Sequence, residues 1–207
     1  MSNLSNKRSA NAAFSNSIDV TPTKIFSPGS NFNSQSSLHK CKKFNDPIHN
    51  HISFEGLALK IIDTPEFQRL HSLKQLGTCD YVFRGATHTR FEHSLGVAYL
   101  AESLVKRLQK NQPELTITDI DVICVQVAGL CHDLGHGPFS HVYDGVFIKK
   151  MFSDGIDGQG KSWRHETGSV MMFRHLLKKN NINLIEYGLS DKDQLFIEEI
   201  IDGIPER

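Results

Sequence analysis

Between residues 89 and 108, apolar side chains fall at Phe91, Leu95, Ala98, Ala101, Val105 and Leu108, the spacing of one helix face. Thr89 followed by Glu92 supplies the capping box that opens such a helix. The run Val122-Ile123-Cys124-Val125-Gln126-Val127-Ala128-Gly129-Leu130 is apolar nearly all round, so it predicts a buried helix, with Thr118 and Asp121 capping its start. Val170, Phe173 and Leu177 mark the inward face of another helix, opened by Trp163-Arg164-His165-Glu166. Ser190 caps a last one through Ile201. Shorter helices are expected over residues 54–62, over 142–151, and from Thr64-Pro65-Glu66 to Gly77, where proline takes the first helical position. Residues 45–49 read as an extended turn, 81–83 as a short strand and 153–161 as a Gly- and Asp-rich loop. Strand signal is otherwise scarce, and the predicted fold is all-α.

Residues 1–40 follow neither period. They are rich in Ser and Asn, contain prolines at 22 and 28, and hold one acidic residue, Asp19. Such a segment buries too little apolar surface to offset its ordering entropy, so a disordered tail is expected, with one folded domain over 42–207. Lys7-Arg8, Thr21-Pro22 and Ser27-Pro28 are candidate targeting or phosphorylation sites, although a solvated tail accounts for them as well.

Charge is balanced at 23 basic and 23 acidic residues, so no strong field for nucleic acid or membrane is implied. Basic residues are scattered and no aromatic stacking motif stands out, which also counts against nucleic-acid binding. The four cysteines form no C-x-x-C pair, as in a reducing compartment. With no apolar run of membrane length and no secretory signal, the reading is a soluble intracellular protein of nucleus or cytoplasm.

Eleven histidines change the picture. The stretch Leu130-Cys131-His132-Asp133-Leu134-Gly135-His136-Gly137-Pro138-Phe139-Ser140-His141 packs three of them and a carboxylate around two glycines and a proline. His132 and Asp133 fall at the end of the buried helix, where a polar pair must find partners. Helical neighbours diverge by roughly 100°, so the two are expected to share an ion rather than to bond each other. As simple capping residues they would not account for His136 and His141. Imidazole with carboxylate and no thiolate suits Zn, Fe, Mn or Mg. His93 becomes a third ligand if its helix packs antiparallel to the one ending at His132.

These residues carry a resemblance. His93 followed by His132-Asp133 on successive helices resembles the HD-domain metal phosphohydrolases. Asp46-Pro47-Ile48-His49, Ile62-Asp63-Thr64-Pro65-Glu66-Phe67-Gln68-Arg69-Leu70, Lys74-Gln75-Leu76-Gly77, Arg90-Phe91-Glu92-His93-Ser94-Leu95-Gly96-Val97, the central stretch, and His165-Glu166 with Gly168-Ser169-Val170-Met171-Met172-Phe173 are similar to the SAM- and HD-domain deoxynucleoside triphosphate triphosphohydrolases. The resemblance implies a mostly helical HD fold and hydrolysis of a dNTP to deoxynucleoside and inorganic triphosphate. His93, His132 and Asp133 match metal ligands, and the metal polarises the α-phosphoryl oxygen. His136, His141 and His165 match catalytic histidines. His141 is read as general acid on the leaving 5′ oxygen with Asp144 orienting it, and Glu166 supports His165. Arg90 matches a substrate contact; Gln75 and Leu76 match the sugar contacts, Leu76 crowding C2′.

Lys42, Asn45, Asp63 and Gln68 match part of a regulatory GTP or dNTP site between subunits, so a homo-oligomer is implied. His71 stands where that site has an arginine. The family's SAM module finds no match in residues 1–40. Its fourth metal ligand, an aspartate on a later helix, is not matched by Asp191, Asp193 or Asp202. The expectation is an HD domain truncated at its C-terminal side, weakly active, with apolar faces at 170–177 and 195–201 left exposed. Another HD phosphohydrolase, acting on monophosphates or cyclic nucleotides, fits Gln75, Leu76 and Arg90 less well. The alternative of a different class is a non-catalytic nucleotide-binding or regulatory HD protein.

Overall fold

The computed structural model describes residues 40–152 and 163–203. The expectations of a disordered tail and of a loop at 153–161 fall outside these residues, apart from Lys40. The described fold is mostly helical, as expected. It opens with an antiparallel hairpin that the sequence reading missed, β1 (Lys42–Asp46) paired with β2 (Asn50–Phe54). Only Phe44, Ile52 and Phe54 turn inward, too few to register as a strand period. The turn at 45–49 is present, with Asp46 Oδ1 accepting from the N–H groups of Ile48 and His49 at 2.8 Å each. Phe54 thus ends a strand, and α1 (Gly56–Ile62) starts two residues later than expected.

Thr64 caps α2 (Pro65–Gln68), which passes into a 3-10 turn over Arg69–Ser72 instead of continuing to Gly77. Leu73 becomes extended because its carbonyl accepts from Arg90 N and the next N–H but one, Gln75 N, bonds His88 O. The strand expected at 81–83 is also absent. A 3-10 turn covers Cys79–Tyr81, and the N–H groups of Tyr81, Val82 and Phe83 bond carbonyls of Thr78 and Cys79, leaving none for a partner strand.

Two helices then form the centre, α3 (Arg90–Asn111) and α4 (Asp119–Cys131), each opened by the capping box expected of it. They run antiparallel, since contacts pair His93 with His132, Ala98 with Gly129, Glu102 with Gln126 and Gln109 with Asp119. A Cβ on Gly129 would lie 3.3 Å from Ala98 Cα, so glycine permits the close approach of the two axes. Residues 142–151 are helical but wider than expected, a π-helical stretch at Tyr143–Ile148 followed by α5 (Lys149–Met151). α6 (His165–Lys179) and α7 (Asp191–Asp202, with the Ser190 box) close the described fold. Phe173, Leu177, Ile197 and Ile201 are buried, while Leu195, Phe196 and Ile200 remain exposed, so the expected exposure of these faces is partial.

Candidate active site

The C-terminal end of α4 meets the first turn of α3. His132 is the C-cap of α4, and its Nδ1 lies 2.7 Å from the carbonyl of Gly129, which can only accept. Nδ1 therefore carries the proton, and in the neutral ring Nε2 presents its lone pair outward. That atom lies 3.2 Å from His93 Nε2 and 3.3 Å from Asp133 Oδ1; His93 Nε2 is 3.6 Å from Asp133 Oδ2. His132 and Asp133, which follow the last residue of α4, thus present these atoms to one another and to His93.

Donor separations of this size are those around one tetrahedral ion, whose bonds of about 2.1 Å place ligand atoms about 3.4 Å apart. A metal-binding histidine also usually gives its second nitrogen to a backbone carbonyl. The residues fit a divalent cation. Burial lowers the pKa of His93 against the pull of Asp133, which keeps its lone pair free. For Asp133, burial acts to raise the pKa, but His132, Arg90 and His136 outweigh it and hold the carboxyl below its usual range.

Arg90, expected at substrate, is placed differently. Only 1% exposed, it gives one terminal nitrogen to Asp133 at 2.5 Å and the other to Ser140 Oγ at 2.7 Å. Its fork is spent inside the protein, fixing the carboxylate and the loop.

His136, His141, Asp144 and His165 form a second group, each offering a donor atom within 4.8 Å of the others. Backbone irregularity builds it. Phe139 and Ser140 both adopt left-handed φ (63° and 54°), turning the chain so that His141 faces back over His136. The π-helical stretch carries Asp144, and α6 begins at His165. Asp144 Oδ2 bonds His165 Nδ1 at 3.0 Å, so the aspartate serves His165 and not His141 as expected. Glu166 Oε2 lies 3.5 Å from the same nitrogen. Burial, then the Arg90 guanidinium, pushes the His136 imidazole down to about 3, against Asp133, so the ring is neutral at pH 7. Its Nε2 faces Asp133 Oδ1 at 3.5 Å and its Nδ1 faces Asp144 at 3.9 Å, so one ring joins both groups.

Three supporting residues escaped the sequence reading. Arg69 donates to the carbonyls of Leu134 (2.6 Å) and His136 (3.2 Å). Ser140 Oγ, besides accepting from Arg90, reaches the carbonyls of Lys74 and Gln75 at 3.1 and 2.9 Å. Ser169 Oγ accepts from Gly135 N at 2.8 Å and sits 2.6 and 2.9 Å from the carbonyls of His132 and His165. The polar residues within otherwise apolar turns were the available signal; their partners, mostly 34 to 67 positions away, were not.

Gln75 is thereby pinned through its backbone, and Leu76 beside it is 49% exposed. A cavity of about 300 Å³ adjoins them between Leu73, Lys74, Tyr81, Pro138 and Phe139. On the hairpin side Lys42 meets Asp63 at 3.2 Å, Gln68 donates to Ile62 O at 2.8 Å, and Asn45 pairs with His51 in the hairpin. His71 stacks on Phe91 at 3.6 Å between ring centroids.

Residues 90–202 match the HD domain family. The chain is 55% identical to the mouse (Mus musculus) deoxynucleoside triphosphate triphosphohydrolase SAMHD1, over 83% of this chain and 26% of that protein. The Homo sapiens protein of the same name is 56% identical over 78% of this chain and 25% of its own length. The SAMHD1 homolog of Dictyostelium discoideum is 41% identical over 81% and 30%. The chain spans about a quarter of the length of these relatives. No helix among the described residues is long and apolar enough to cross a membrane. With the family pattern running from the first residue of α3 to the last of α7, across both histidine groups, the chain belongs to the HD-domain family.

Proposed function

We propose that the protein hydrolyses deoxynucleoside triphosphates to deoxynucleoside and inorganic triphosphate. The observation that carries this reading is the junction of the two histidine groups through His136: a cation-type donor set lies beside imidazoles able to move protons. The activity for which the relatives are named supports the same choice of substrate.

His93, His132 and Asp133 hold the cation; Zn, Fe, Mn and Mg remain the candidates for it. When bound, it supplies Lewis-acid polarisation of the α-phosphoryl oxygen. His165, oriented by Asp144 and flanked by Glu166, positions the attacking water, and neutral His136 accepts a hydrogen bond on the same side. His141, exposed at the rim, gives its proton to the leaving 5′ oxygen. Arg90 acts at one remove, by fixing Asp133 and Ser140. Gln75 and Leu76 border the sugar, and Leu76 disfavours a 2′-hydroxyl by crowding. Such an apolar contact discriminates by about 1–3 kcal/mol. Lys42, Asn45, Asp63 and Gln68 form one part of a regulatory GTP or dNTP site completed by a second subunit. The protein works in nucleus or cytoplasm.

The test is product analysis. Purified protein with dGTP and Mn²⁺ should release deoxyguanosine and intact triphosphate, faster than it cleaves GTP, and His132→Ala should release neither. Release of pyrophosphate or orthophosphate instead, or equal release by His132→Ala, would overturn the reading.

A further inference from the structure

Two features of the described surface have no part in the proposed chemistry. The first is a groove of about 740 Å³ between the start of α1 and the facing sides of α3 and α4. Leu57, Ala58 and Val122 are buried beneath it and make an apolar floor. Its rim is acidic: Glu55, Glu102 and Asp119 stand there against a single ammonium, Lys106, which Glu102 already engages. Glu102 and Asp119 also accept from Gln126 and Gln109, but amides leave their charge in place. Glu55 precedes α1 without capping it, and its carboxylate faces solvent. The second feature is the outer face of residues 142–151. Val142, Val146, Phe147 and Met151 are all exposed there, while Ile148 is buried. Positions four, five and nine after Val142 share one face of a helix widened to π pitch. Lys149 and Lys150 follow Ile148, exposed and without an ion-pair partner among the described residues. Scattered apolar side chains on a surface are ordinary, but a contiguous face of them marks a contact.

We propose that these features are the two halves of one contact between copies of this chain. Val146, Phe147 and Met151 of one copy enter the groove of another, and Lys149 and Lys150 meet Glu55, Glu102 and Asp119 at its rim. Each half lacks what the other carries: the helix face has apolar side chains and free cations, the groove an apolar floor and an excess of carboxylates. An anionic lipid surface would satisfy the lysines and leave the acidic groove without a role, whereas a second copy satisfies both. A groove of this volume holds a few side chains and no more. The contact therefore falls among small, transient interfaces, below about 1,200 Å² of buried surface, and forms reversibly with concentration. Because every copy carries both halves, two copies can engage reciprocally, or the contact runs head to tail. None of this depends on the proposed hydrolysis.

The experiment is sedimentation velocity on the full chain over a hundredfold range of concentration, in which wild type should associate reversibly. Lys149→Glu with Lys150→Glu, and separately Glu55→Lys with Asp119→Lys, should each weaken association at least tenfold, since like charges then face each other. Mixing the two double variants should restore it, because each half then meets its opposite on the other copy. Val146→Ser with Met151→Ser should weaken association at high salt as well, where the charges are screened. All six positions but Glu102 and Phe147 of the contact are thereby tested at exposed side chains, and circular dichroism would confirm that each variant is folded. Wild type monomeric at every concentration, association that neither charge variant weakens, or a mixture that fails to recover it would overturn the contact. A monomer that instead sediments with vesicles of phosphatidylserine and phosphatidylcholine would also overturn it, and would assign the lysine face to an anionic lipid surface.

Discussion

The two histidine groups lie against each other yet are built in different ways. His93 and His132 stand at the ends of long, capped, antiparallel helices, brought together where Gly129 lets α3 and α4 approach. His136, His141, Asp144 and His165 depend on a loop with two consecutive left-handed residues, a π-helical stretch, and the first residue of α6, a helix without a side-chain N-cap. The first group inherits its geometry from regular packing. The second is held by single side chains reaching to backbone: Arg69, Ser140 and Ser169. π-helical turns gather at functional sites, and irregular backbone is where proteins place groups that must shift during a reaction. On the proposed function, the fixed task of holding an ion falls to the first group and the adjustable task of moving protons to the second.

Arg90 is the link whose loss should be felt most, because it serves both groups. Arg90→Ala leaves Asp133 buried without its ion-pair partner, a change that typically costs about 3–5 kcal/mol. It also frees Ser140 from one of its anchors. Urea denaturation should show a loss of that size, with metal binding weakened at His93, His132 and Asp133. A stability loss below about 1 kcal/mol would mean that the carboxylate finds another partner.

Gly135→Ala should separate the groups. A Cβ there would run into Ser169 N, Gly168 C and His165 O, all backbone atoms of the first turn of α6, so the helix must move away. Overpacking of this kind costs about 1–3 kcal/mol. Displacing α6 carries His165 from Asp144 but leaves the junction of α3 and α4 in place. The variant should therefore bind Mn²⁺ like wild type while losing most of its turnover. Loss of both together would show that the two groups are one mechanical unit.

The same contrast explains what could be read from the chain. Capping boxes at Thr89 and Thr118, with apolar runs behind them, and the cap at Ser190 located the starts of α3, α4 and α7. His132-Asp133 at the end of a buried helix pointed to an ion before any geometry was available, and antiparallel packing brought His93 to it. The hairpin, the 3-10 turns after α2 and Thr78, and the π-helical stretch went unread because their signals are two or three residues long and are decided by distant backbone partners. The bond between Leu73 O and Arg90 N, which ends the helix expected to reach Gly77, joins residues 17 apart. Arg90 was read through the resemblance, as a substrate contact. Only the fold reveals that Asp133 and Ser140 already occupy it.

The central claim is that His93, His132 and Asp133 hold a divalent cation. Mn²⁺ titration followed by electron paramagnetic resonance tests it directly, by counting free ion in wild type and in His132→Ala. One equivalent bound by wild type, at least tenfold weaker in the variant, is the result this account predicts. Equal binding by the two proteins would contradict it and move the cation elsewhere.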